Sequence, residues 1–154
     1  MKPGTHPTPR ISYLVKRVER GLRWGLDETL SVYGVTTPEY TALSVLRDRE
    51  GLSSAQLARR VFVSAQAMNQ IVIALERRRL IQRSPSQTHG RTMCARLTAK
   101  GAQLLAACDE ATLRVEQHLL AALSPVELET LHRVLSSCVR SLGKAAEFDE
   151  AVGT

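Results

Sequence analysis

From residue 11 the apolar positions fall at 11, 14, 15, 18, 22, 26, 30 and 33, the three-and-four spacing that lines one face of a helix. The pattern predicts a first helix from residue 11 to about 33, closed by Gly34. Thr37, Pro38 and Glu39 then supply an N-cap, a proline for the first helical position and an acid for the first turn. A second helix is expected from there to about residue 50, with Gly51 just after it. Ser54 is expected to cap a short third helix through Leu57, Ala58 and Val61, and Ser64 a fourth, SAQAMNQIVIALERRRL, over residues 64–80. After Leu80 the pattern changes, and 81–85 and 92–97 read as two short strands around the turn 86–90. Thr98 opens a long fifth helix with Leu104, Leu105, Cys108, Val115 and Leu119. Ser124 and Pro125 open a sixth with Leu128, Leu131, Leu135, Val139 and Leu142.

The order is helix, helix, helix-turn-helix, two-stranded hairpin, helix, helix. The expected class is therefore mainly α with a small β-hairpin wing: a winged helix-turn-helix core at 37–97, with long helices at 11–36 and 98–148. Residues 1–10, with Pro3, Pro7, Pro9 and Gly4, read as a flexible arm. The first, fifth and sixth helices are longer than this small module needs for cover. Their apolar stripes call for a partner, and an identical chain is the simplest one, so a homodimer is expected.

Charge sharpens the reading. Residues 59–100 hold nine Lys/Arg and one acid, Glu76, a net charge of +8; the other 112 residues carry 12 bases against 14 acids, net −2. A basic segment beside a mildly acidic remainder suits a polyanion better than a uniformly solvated surface does. Projected as a helix, the fourth segment buries Met68, Ile71, Val72 and Leu75. The opposite face presents Gln66, Ala67, Asn69, Gln70 and Ile73. Amides can pair with adenine in two places, and small apolar groups can touch thymine methyls in a major groove. Solvent-exposed amides are common, and it is the setting after a short capped helix and before a basic hairpin that favours base reading. Arg77, Arg78 and Arg79 sit at the far end, where cations complement the helix dipole. Arg91, past the tight turn at Gly90, is placed to grip phosphate or a minor groove.

The run GLSSAQLARRVFVSAQAMNQIVIALERRRLIQRSPSQTHGRTMCARLTAKG, residues 51–101, resembles the core of the MarR (multiple antibiotic resistance regulator) family, and LTAKG at 97–101 is similar to its LTxxG signature. The resemblance implies a homodimer with interleaved terminal helices, two recognition helices on a pseudo-palindromic double-stranded DNA operator, and repression relieved by a small ligand or by oxidation. With it, the expected DNA contacts are Ser54, Ser64, Gln66, Ala67, Asn69, Gln70, Ile73, Arg83, His89 and Arg91. Two positions depart from the family pattern. His89 stands where an acid commonly precedes the wing-tip arginine, and Arg79 stands where many members have the glycine that accepts a left-handed helix end.

Aromatic residues make up only 4 % of the chain, so Tyr13, Trp24, Tyr33 and Tyr40 on the first two helices stand out. Tyr13, Arg17, Arg20, Trp24 and Tyr40 are the candidate site for a small aromatic or phenolic effector, with core and interface packing as the competing reading. Cys94, in the wing near Arg91 and Arg96, is the candidate for redox control; Cys108 and Cys138 read as small core residues. The histidines, His6, His89, His118 and His132, lack ligand spacing, so neither metal nor cofactor is expected. No GxSxG, P-loop or GxGxxG is present, so nothing argues for an enzyme. With no apolar run near 20 residues and no signal-peptide core, a cytoplasmic protein without membrane contact is expected. A non-specific architectural DNA-binding protein is the alternative from another class.

Overall fold

The computed structural model describes residues 9–86 and 92–142 in full and 143–152 as backbone. Along it run α1 (Ile11–Ser31), α2 (Thr37–Asp48), β1 (Leu52–Ser53), α3 (Ser54–Val61), α4 (Ala65–Arg77), β2 (Ile81–Pro85), β3 (Met93–Leu97), α5 (Ala99–Leu120) and α6 (Pro125–Val152). The chain divides into two compact units, Met1–Glu116 and Gln117–Thr154.

The starts of α2 and α3 are set by reciprocal capping. Thr36, not Thr37, caps α2, and Ser53, not Ser54, caps α3. The reason is the reach of the third helical residue: Glu39 and Gln56 bond back to the N–H groups of Thr36 and Ser53 at 2.9 Å each. Thr37 and Ser54 thus become the first helical residues. Ser64 caps α4 as expected, its Oγ accepting from the Ala67 N–H at 3.1 Å.

α4 stops at Arg77 rather than running to Leu80. Its end is a Schellman turn: the Leu80 N–H bonds the Leu75 carbonyl at 3.0 Å, and the Arg79 N–H bonds the Glu76 carbonyl at 2.8 Å. That turn places Arg79 in the left-handed region at φ 59°. α2 likewise ends earlier than expected, at Asp48. The wing is a three-stranded antiparallel sheet ordered β1-β3-β2, not a two-stranded hairpin; Leu52 pairs with Ala95, and Ile81 with Leu97.

The core of the unit joins Ala42, Leu43 and Leu46 of α2, Leu57 and Val61 of α3, and Met68, Val72 and Leu75 of α4 to Leu80, Ile81, Ala95 and Leu105. Burying each of these leucines fully is worth about 1.5–3 kcal/mol. A second cluster, Leu30, Val35 and Cys108, joins α1 to α5. The LTAKG run closes the wing onto α5. Thr98 Oγ1 accepts from the Gly101 N–H at 3.0 Å and donates to the Arg79 and Leu80 carbonyls at 2.8 and 3.0 Å. A Cβ on Gly101 would lie 2.0 Å from the Leu80 carbonyl oxygen, so only glycine fits this approach.

In the second unit, Ser124 and Glu127 form a further capping box at the start of α6. The helix carries Val126, Val134, Leu135, Val139 and Leu142 exposed, and Cys138 is exposed rather than a core residue. In the first unit, Ile11, Leu14, Val15 and Val18 of α1 are exposed as well. No helix among the described residues is long and apolar enough to cross a membrane.

Candidate nucleic-acid interface

α4 lies across α3 with Met68, Val72 and Leu75 buried and Ile71 half-buried, so its other face is free. Gln66, Ala67, Asn69, Gln70 and Ile73 all lie on that exposed face, as the helical projection expects. The first turn of α4 carries no acid and its N-cap is a neutral serine, so its amide dipoles face outward without a competing carboxylate. Ser54 is half-buried, and its hydroxyl donates to Asn69 Oδ1 at 2.6 Å. The two are therefore one unit rather than two independent contacts.

The turn between α3 and α4 holds a feature that periodicity does not reveal. Phe62 adopts a left-handed conformation at φ 58° and is 93 % exposed. Its position is dictated by the bond from the Val63 N–H to the Ala58 carbonyl at 3.1 Å, which ends α3. Arg59 and Arg60 lie exposed beside it on the last turn of α3.

Arg83, expected on DNA, is tied to Glu76, its Nε donating to Glu76 Oε2 at 2.9 Å. The hydrogen bond and charge of Arg83 lower the Glu76 pKa. The single acid of the basic segment thus holds one of its nine cations back to the end of α4. Arg78 reaches Glu39 at 3.5 Å and its carbonyl accepts from Lys100 Nζ at 3.0 Å, so it joins α2, α4 and α5. His89 and Arg91, with the rest of the wing tip, lie outside the described residues.

The candidate effector residues do not converge. Tyr13, Arg17, Arg20 and Trp24 line an open hollow along one face of α1 with Lys16 and Gly21. The Arg17 guanidinium sits 5.9 Å from the Tyr13 ring centre, within cation–π range. Tyr40 lies elsewhere. Its hydroxyl donates to Asp109 Oδ1 at 2.8 Å and lies 3.1 Å from Thr112 Oγ1, and burial raises its pKa. Arg47 also bonds Asp109, so Tyr40, Arg47, Asp109 and Thr112 make a polar bridge between α2 and α5. An acid on the apolar stripe of α5 was the only sequence signal for that bridge.

Residues 33–92 match a family model described as MarR family. The chain is 35 % identical over 125 residues to the HTH-type transcriptional repressor Rv2887 of Mycobacterium tuberculosis, covering 81 % of this chain and 90 % of the relative. The chain belongs to the MarR family. It is a transcriptional repressor of that family, built on a winged helix. A crystal structure of the same mycobacterial MarR family protein in complex with salicylic acid superposes with a TM-score of 0.72 at 33 % identity, covering 86 % of this chain and 98 % of that one. Its complex with DNA superposes with a TM-score of 0.72 at 31 % identity, covering 85 % and 98 %.

Of the two departures from the MarR pattern, His89 lies outside the described residues and Arg79 has a structural outcome. Arg79 keeps the left-handed helix end that glycine would accept without strain. Cys94 sits half-buried in β3, paired in register with Ser53 of β1 and Ser84 of β2. Cys108 is buried, which raises its pKa and keeps it a thiol. Among the described residues no group of His, Cys, Asp or Glu could hold a metal ion.

Proposed function

We propose that this MarR repressor acts as a homodimer that reads a pseudo-palindromic operator in double-stranded DNA and releases it on binding a small aromatic or phenolic acid. In this reading residues 37–97 bind DNA, and 11–36 with 98–148 form the dimer. The carrying observation is the free, acid-free, amide-rich front of α4 within the basic segment. Each good base contact from such a face discriminates by about 1–3 kcal/mol. The uncovered apolar residues of α1 and α6 support the dimer. The aromatic and cationic face of α1 supports an anionic aromatic effector, as does the salicylic acid held by the mycobacterial relative.

Selection from a randomised duplex library should return one inverted repeat with half-sites about one helical turn apart. Equal affinity for all duplexes would favour an architectural protein instead. Salicylate should then lower operator affinity and change the fluorescence of Trp24, the only tryptophan. A tenfold release needs about 1.4 kcal/mol of coupling between the two sites. Release by peroxide, prevented by Cys94→Ser, would move control to the wing.

A further inference from the structure

The Ser54–Asn69 bond joins the first residue of α3 to the second turn of α4, across 15 positions of sequence, at the edge of the free α4 face. An asparagine amide is planar, with oxygen on one prong and nitrogen on the other. Here the oxygen prong is drawn toward α3. The nitrogen prong is the one left free, and among the described residues its two hydrogens have no partner. The Ser54 hydroxyl hydrogen is spent in the same bond, so this hydroxyl is not a free donor for a phosphate.

Two-point pairing with adenine needs both prongs: the oxygen accepts from the N6 amino group while the nitrogen donates to N7. Ser54 takes one of the two lone pairs of that oxygen and ties it to the start of α3. Guanine asks for donors only, since its O6 and N7 both accept.

We infer that Ser54 is a positioning residue that ties the Asn69 oxygen to α3 and leaves the nitrogen as the prong offered to a base, so that Asn69 selects guanine over adenine at its base pair. The inference rests on the sequence-specific function proposed above. It deepens that function by reversing the adenine preference that the Asn69 side chain by itself suggests.

The test is selection of a randomised duplex library by the full-length wild type and by Ser54→Ala, Ser54→Thr and Asn69→Ala. The wild type should enrich guanine at one symmetric position, and Asn69→Ala should lose preference there alone. Ser54→Ala should shift the adenine-to-guanine ratio at that position about tenfold toward adenine, within the range of one two-point contact. Ser54→Thr, which keeps the hydroxyl, should retain the wild-type ratio. A Ser54→Ala motif identical to the wild type at uniformly lower affinity would overturn the inference, leaving Ser54 a contact of the fold. Adenine at the Asn69 position of the wild type would overturn it too, even if Ser54→Ala did not fold. A wild type that enriches no motif would remove the proposed function, and this inference with it.

Discussion

Arg79 offers a measurable test of backbone strain at the junction of recognition helix and wing. Its φ of 59° is imposed by the two Schellman bonds that end α4 and by Thr98, whose hydroxyl donates to the Arg79 carbonyl. A residue with a Cβ in this region bears about 1–2 kcal/mol of strain. Glycine removes that strain but gives back about 0.5–1 kcal/mol as extra freedom of the unfolded chain. Arg79 also places a cation just past the helix end, worth about 0.3–1 kcal/mol. Arg79→Ala removes the charge and keeps the Cβ, so it isolates this last contribution. Relative to Arg79→Ala, Arg79→Gly should therefore be more stable by about 0.5–1 kcal/mol, or roughly 2–3 °C in Tm for a chain of this size. The assay is urea unfolding of both variants at one fixed protomer concentration, because dimerisation makes the midpoint concentration-dependent. Equal midpoints, or a less stable glycine variant, would refute the assignment of strain to this residue.

Gly101→Ala should cost about 3 kcal/mol or fail to fold, because its Cβ would press on the Leu80 carbonyl oxygen; a wild-type urea midpoint would contradict that approach. Glu76→Gln should free Arg83 for phosphate and steepen the salt dependence of DNA affinity by about one counterion, read from binding isotherms at several salt concentrations. The same variant should alter stability against pH. Glu76 titrates below its ordinary value in the folded protein, so its ion pair contributes fully above the usual carboxylate range and is lost as pH falls through the lowered value. Acid unfolding curves of wild type and Glu76→Gln should accordingly diverge at neutral pH and converge at low pH. Sedimentation without DNA should give a dimer, and removing residues 124–154 should cost solubility; a folded monomer at micromolar concentration would remove the basis for a two-fold operator.

What the sequence determined by itself is what short-range forces decide. The six helical segments follow from three-and-four spacing and from capping chemistry, both of which act within one turn. The free face of α4 was legible for the same reason, since one set of apolar residues names the opposite set. Even the one-residue error at Thr37 and Ser54 was local, because Glu39 and Gln56 mark the correct caps three residues back. Distant pairings were not legible. β1 has two residues, too few for alternation to register, and exists because β3 offers it an edge. Asp109 meets Tyr40 across 69 positions and Arg47 across 62. Arg83 turns to Glu76 rather than outward, and Ser54 takes the Asn69 oxygen. The sequence supplies the donors and acceptors, but it is the packing of α2, α3, α4 and α5 that decides which of them meet, and so which groups are left free for DNA.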